Sequence, residues 1–502
     1  MTDWTRVPVL VGAGQHTNRD EDPVAAPDPY ALMTMAATES ASSVPGTAPD
    51  KVLAGLSHLF MVHSLSLRHS EPAIELARRI GATGAEARCS GMGGNIPQWL
   101  VDRAAELVLS GTRPVVLLVG AEALATRRRA KRLGTKLDWP GDGGWPQTWP
   151  ALEPDMGVHP TERACGLEQA TAMYALIDSA LAHAAGRSPE QHRDATGRLM
   201  AGLNAVATEN PYSWFPARRS AQEITTVTAD NRVIFHPYPK YVNAVMDVDM
   251  AAAVLLTDAA TAREWGLGPD EVVYLRGWAD AAEIWHLSAR PAVHRAEALA
   301  ACGGQALAMA GIGLDQVGAF DLYSCFPSSV QAAAAGLGIG DDDPRPRTLT
   351  GGLPYHGGPG SNYVTHAIAN AFAWLRAGRG TYALVHGNGY YLTKHAVGLY
   401  SSEPPTDVPT PDAALQQRLD DARHPLPVAA SLPGEAQVVA YTVPFERGGS
   451  PGRGIVLVEA QGRRTVAGAD DALTAWLLAG DVVGATVRVT ATEGGPDTAT
   501  AA

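Results

Sequence analysis

Four cysteines, Cys89, Cys165, Cys302 and Cys325, supply the chain's thiols, and the first stands where a thiol could do chemistry. In RCSGMGGNIPQW, Cys89 comes just before a glycine turn and a helical pattern. A thiol at a helix N-terminus has its pKa lowered by the dipole and the free N–H groups, which makes it a nucleophile. A cysteine that merely approaches such a turn is a small buried residue instead. Two histidines sit beside glycines, His356 in GGLPYHGGPG and His386 in VHGNG. A neutral imidazole in a cleft serves as base or donor near neutral pH, whereas one bonded to backbone is structural. In ATRRRAKRLGTK, Arg127, Arg128, Arg129, Lys131 and Arg132 reverse the local charge, as a phosphorylated ligand would require. On a helix the same run spreads around the circumference as a solvated face. No CxxC pair and no zinc-ligand or disulfide spacing occurs, so no metal is expected.

Regular elements must hold these residues. Strand-like runs (RVPVLVG, VGAFDLY, TYALVHGNG) alternate with helical stretches such as DPYALMTMAATESA, the pattern of an α/β protein with sheets buried on both faces. Two segments echo each other. LSGTRPVVLLVGAEA and RAGRGTYALVHGNGY each end a helix at a glycine, Gly111 or Gly378, and reach another nine positions on, Gly120 or Gly387. Upstream, each helix starts at a glycine-rich turn, GMGGNIPQW or GGPGSNYVTH. The core therefore reads as duplicated. The first half is assigned to 1–265, with an inserted Trp-, Pro- and Arg-rich region at about 122–240 that carries a helix near TAMYALIDSALAHAAG. The second half takes 266–400, and a proline-rich connector with a short charged helix takes 401–434. Short β-type runs over 435–492 suggest a small antiparallel barrel, and the tail 493–502 is expected to be disordered.

Composition narrows the partners. With 502 residues and a net charge of −13, the chain is long enough for several cores and would repel nucleic acid or an anionic membrane. The N-terminal MTDWTRVPVLVGAGQ enters a strand directly, and no apolar run is long enough for a membrane span, so a cytoplasmic protein is expected.

At the paired glycine-turn helices the chain resembles the thiolase superfamily, over roughly residues 5 to 400. RVPVLVGAGQ opens the resemblance, and VDMAAAVLLTDAATA closes its first half. FDLYSCF stands where sterol-carrier-type thiolases carry HDCF, GGLPYHGGPG where the family carries GGL followed by GHP, and HGNG where those thiolases carry a His-Asn segment in place of CxG. The resemblance implies a duplicated α/β thiolase-type fold. The added barrel resembles one found in a subgroup of actinobacterial-type thiolase-like proteins.

The site departs from the family. Family spacing back from GAE puts the nucleophile position at Gly94, with Gly93 beside it and Asn95 next, and leaves Cys89 about a turn and a half upstream. Gly357, Gly358 and Pro359 replace Gly-His-Pro, so His356 would have to swing in. Tyr323 and Ser324 replace the first two HDCF positions, while Cys325 and Phe326 keep the last two. The resemblance implies that Cys325 would act as proton donor and acceptor, Tyr323 as an oxyanion-hole donor, and His386 as a further cleft residue. It also implies a coenzyme A thioester as substrate, held by Gly93, Gly94, Asn95, Gly358, Arg127 and Arg128, with no covalently bound cofactor. Two functions follow: an acyl-CoA acyltransferase with a rebuilt site and an unknown acceptor, or a silent acyl-CoA-binding or partner protein. A third reading makes the barrel a scaffold element. Either a homodimer or a monomer is compatible, since an added domain could block the strand through which thiolases pair.

Overall fold

A computed structural model describes residues 2–502. In the first half, β1 (Pro8–Thr17), β2 (His58–Met61), β3 (Glu86–Cys89) and β4 (Val116–Ala123) alternate with α1 (Pro29–Ala41) and α2 (Ile96–Leu109). The inserted region follows with α3 (Leu124–Leu133), α4 (Ala170–Ala184), α5 (Pro189–Glu209) and the short strands β5 (Val233–His236) and β6 (Tyr238–Pro239). β7 (Asp249–Asp258) completes the half. The second half repeats the scheme with β8 (Val273–Ala282), α6 (Glu297–Ala310), β9 (Ala319–Leu322), α7 (Pro327–Leu337), α8 (Tyr363–Arg376), β10 (Tyr382–Gly389) and β11 (Lys394–Ser401).

Strand order proves the duplication. The first half runs β3-β2-β4-β7-β1 and the second β8-β11-β10-β9, joined where Val9 and Leu10 pair with Tyr274 and Val273. In each half the central strand pairs parallel with one neighbour (β2–β4, β9–β10) and antiparallel with the other (β4–β7, β10–β11). Every residue of β4, β7 and β10 is buried, as expected for strands covered on both faces. Only β3 lacks a regular counterpart. Its place beside β9 is taken by an irregular edge in which Phe320 and Leu322 N–H donate to the carbonyls of Pro346 and Arg347.

The two helices expected from the echo, α2 and α8, lie against strands of both halves and against each other. Each ends at a left-handed glycine, Gly111 (φ 79°) or Gly378 (φ 65°), a conformation that costs glycine little. A loop of the inserted region meets the C-terminal end of β3's outer edge. There the Trp149 N–H donates to the Cys89 carbonyl at 2.9 Å, and the Trp149 ring packs 4.7 Å from Trp99 and 5.6 Å from Phe60.

Beyond a connector that contains the expected short helix (Leu415–Ala422), β12 (Gly434–Pro444), β13 (Ile455–Ala460), β14 (Arg463–Ala469), α9 (Asp471–Ala479), β15 (Thr486–Thr490) and β16 (Thr498–Ala501) form a closed five-stranded barrel. Four of its pairings are antiparallel, and β14–β16 is parallel. The tail is a correction to the sequence reading. Instead of being disordered, residues 498–501 form β16, which closes the barrel between β15 and β14. Composition hid it, because small and threonine side chains gain order here only by ladder pairing. The barrel docks on the inserted region, where β12 pairs with β5 and the Tyr441 N–H donates to Ser179 Oγ. Among the described residues, no helix is long and apolar enough to cross a membrane.

Candidate functional site

The N-termini of α2 and α8 meet at the centre of the duplicated core. Asn95 and Asn362 stand at the N-caps of α2 and α8, each packed against the glycine at the end of the facing half's strand. Asn362 Nδ2 donates to the Gly120 carbonyl at 2.7 Å, and a Cβ on Gly120 would lie 2.5 Å from Asn362 Oδ1. In mirror fashion, a Cβ on Gly387 would lie 2.9 Å from Asn95 Cα, and one on Gly389 would lie 2.1 Å from Asn95 Oδ1. The paired glycines exist so that the two helix starts can approach this closely. Gly93 (φ 143°) donates its N–H to Ser361 Oγ at 3.0 Å, tying the two turns together.

Gly94 meets a side chain from the other half. A Cβ built there would lie 2.2 Å from Tyr323 Cζ and 2.3 Å from its hydroxyl oxygen. The phenol ring therefore fills the space a side chain at position 94 would need. β9 delivers Tyr323 to this point, and Tyr363 fixes the ring edge-on at 5.8 Å and 89°. Burial raises the Tyr323 phenol well above its ordinary pKa, so it stays protonated and is no base.

Two residues on, Cys325 is buried under Phe326, whose ring stacks on Tyr174 at 4.8 Å and Tyr238 at 6.1 Å. Burial pushes the thiol up to about 12, and hydrogen bonding to Tyr174 and Ser329 only partly offsets this. Cys89 closes β3 in the outer core of the first half beside Leu59 and Leu117, with its sulfur 3.7 Å from the Ser90 carbonyl and its thiol likewise pushed up to about 12 by burial. Neither is a poised thiolate.

The histidines are equally enclosed. His356 has no exposed surface. Its Nδ1 lies 3.3 Å from Ser213 Oγ, its Nε2 is unpartnered, and its ring is 5.1 Å from that of His366. Burial and the neighbouring His366 lower its pKa far below normal. His386 Nε2 lies 3.1 Å from His395 Nδ1 across the β10–β11 pair, and burial lowers the His386 pKa to about 3. Sequence reasoning missed His366 and His395 because neither lies beside a glycine turn. It also missed Glu122, in the GAE segment, which accepts from Leu65 N–H, Ser66 N–H and the Ser64 and Ser66 hydroxyls and is pushed up to about 7 by burial.

The basic run is largely occupied. Arg127 donates to the Leu65 carbonyl at 3.0 Å, Arg128 pairs with Asp247, and Arg129 donates to the Asp20 carbonyl. Gly358 donates its N–H to Val245. The structure thus brings Gly93, Gly94, Asn95 and Tyr323 together and leaves Cys89, Arg127 and Arg128 elsewhere in the fold. Beside the α2 turn a cleft of about 180 Å³ remains, lined by Met92, Asn95, Trp99, Asp280, Tyr390 and Lys394 among others. Among the described residues no group of three or more His, Cys, Asp or Glu is arranged to hold a metal.

Two α/β halves that face each other through paired helix N-termini define a thiolase-type scaffold. Residues 414–494 match the family model described as the thiolase-like protein type 1 additional C-terminal domain. The crystal structure of a monomeric SCP2-thiolase like protein type 1 from Mycobacterium smegmatis is 33% identical, with each chain covered over 100% of its length and a TM-score of 0.84. The chain belongs to the SCP2-thiolase-like proteins of type 1. Fold-level similarity extends to an Ltp2-ChsH2(DUF35) aldolase (18% identity, 79% of this chain and 98% of that one, TM-score 0.58). It extends also to an acetyl-CoA acetyltransferase from Syntrophomonas wolfei (13%, 79% and 99%, TM-score 0.54). No match is found among curated proteins.

Proposed function

We propose that the protein binds the acyl end of a coenzyme A thioester on a thiolase scaffold without forming an acyl-enzyme. The observation that carries this reading is the Tyr323 ring in the space belonging to a side chain at position 94. Covalent acyl transfer needs a nucleophile at the helix N-terminus, and glycine supplies none. The thiols that could substitute, Cys89 and Cys325, are buried and held protonated by burial. The cleft beside α2 supports retained binding, because Trp99 and Ile96 offer apolar cover while the helix start offers positive charge. The monomeric state of the 33% identical relative supports a monomer.

Intact-mass measurement after incubation with a panel of acyl-CoA thioesters tests the reading. No acyl adduct should form, while millimolar CoA thioester should raise the melting temperature according to its affinity. A stoichiometric acyl adduct would reinstate the acyltransferase reading, and a flat melting temperature would remove the ligand.

A further inference from the structure

Along the irregular edge of the second half, α5, α7 and the segment 341–348 enclose a separate groove of about 400 Å³. That volume lies within the ~300–1,000 Å³ span of small-molecule sites. Leu199, Leu203 and Val206 of α5 and Val330 of α7 contribute apolar lining.

Charge on the lining is unbalanced. Four arginines and two aspartates face the groove. Arg187 pairs with Asp341 and Arg345 with Asp343, which leaves Arg198 and Arg347 without an ion pair among the described residues. Arg347 rests one guanidinium nitrogen on the Gly340 carbonyl at 2.5 Å. Its other terminal nitrogen is buried and donates to nothing. The Arg347 side chain as a whole is half-buried, so a turn of the guanidinium would bring this unused donor to an anionic ligand in the groove.

We propose that this groove binds a fatty carboxylate, with the aliphatic tail on the α5–α7 floor and the carboxylate at Arg347 and Arg198. Carboxylate geometry matches the planar guanidinium fork, and the apolar floor requires a tail. Binding here does not rest on the proposed coenzyme A thioester cleft beside α2, because the two sites share no residue.

Calorimetric titration of the full chain with octanoate tests the proposal, with octanol and octylamine as controls for the head group. Gly202 lines the groove, and a Cβ there meets nothing within 4 Å, so Gly202→Leu extends into the ligand's space without displacing protein. It also replaces a glycine in a helix interior, so the melting temperature should hold or rise. Octanoate should bind saturably, and octanol and octylamine at least about tenfold more weakly. Arg347→Gln should weaken octanoate about tenfold, the loss of roughly one charge-assisted hydrogen bond. Gly202→Leu should abolish binding in a fully folded protein. Absence of saturable octanoate binding, equal binding of octanol or octylamine, or unchanged octanoate affinity in folded Gly202→Leu or Arg347→Gln would overturn the assignment.

Discussion

At position 94 any side chain competes with the Tyr323 ring, and one of the two must give way. Gly94→Cys should therefore destabilise the protein by about 1–3 kcal/mol, the usual range for overpacking. Combining it with Tyr323→Gly should return stability, read as the melting temperature, and should give the one variant in which an acyl adduct becomes detectable. The native thiols make a second test. Cys165 is the only one of the four that is not fully buried, although burial holds its thiol at about 11. Iodoacetamide should label Cys165 first and reach Cys89, Cys302 and Cys325 only as the fold opens. Rapid labelling of Cys325 would contradict its enclosed position.

Histidine burial also has a sign. The folded pKa values of His366 and His386, each lowered by burial to about 3, lie below the unfolded value near 6.5. The unfolded chain therefore takes up protons first as pH falls, so the stability present above pH ~6.5 is lost progressively toward pH ~3. At pH 5 each such histidine costs about 2 kcal/mol, from 1.5 pKa units at about 1.36 kcal/mol each. Glu122, raised to about 7, works in the opposite direction and is stabilising when protonated. His386→Gln should shrink the fall in unfolding free energy between pH 7 and pH 5 by about 2 kcal/mol, measured by denaturant titration. An unchanged difference would mean that His386 is protonated in the fold.

Among the elements, the joint between helix starts and strand ends tolerates no added atoms. Gly120→Ala and Gly387→Ala should each cost about 1–3 kcal/mol, because the new methyl group meets Asn362 or Asn95 backbone or amide atoms. Trp149 has a different role, since it bridges Ser90 just beyond β3 and its ring holds the loop against Trp99 and Phe60 at the end of that strand's outer edge. Exposed strand edges template association, so Trp149→Ala should make the protein self-associate with rising concentration in sedimentation. A variant that stays monomeric would show that other loop residues suffice.

These elements differ in how far the sequence disclosed them. The glycine echoes could be read because close backbone approach restricts residue type at Gly120 and Gly387, and chain spacing alone locates both. The place of Gly94 at the start of α2 could be read as well, from its spacing to the GAE segment. What fills that space could not, because Tyr323 arrives from the other half and no local pattern records the meeting. The His386–His395 contact is likewise a product of strand pairing. β16 was misread because its pairing partners, not its own residues, create its order.

On the scale of the whole molecule, the barrel is bound into the body. Arg464, 3% exposed, pairs with Glu459 at 2.8 Å and donates to the carbonyls of Arg290 and, at 2.9 Å, Pro291. Calorimetry should accordingly show barrel and body unfolding in one transition, and Arg464→Ala should lower stability by about 1.5–3 kcal/mol through its lost charged hydrogen bonds. Two well-separated transitions in the native chain would mean that the interface does not couple them.

The pairing of β5 with β12 reaches beyond the finished fold to the moment of its making. β5 leaves the ribosome about 200 residues ahead of the strand that covers it, and at roughly 5–20 residues per second that interval lasts about 10–40 seconds. Through that time the nascent inserted region carries an open strand edge and an uncovered face of α4. A segment made later is thus the one that seals the earlier ones. Truncation of the C-terminal barrel should therefore be felt first as aggregation of newly made chains, before any ligand is met.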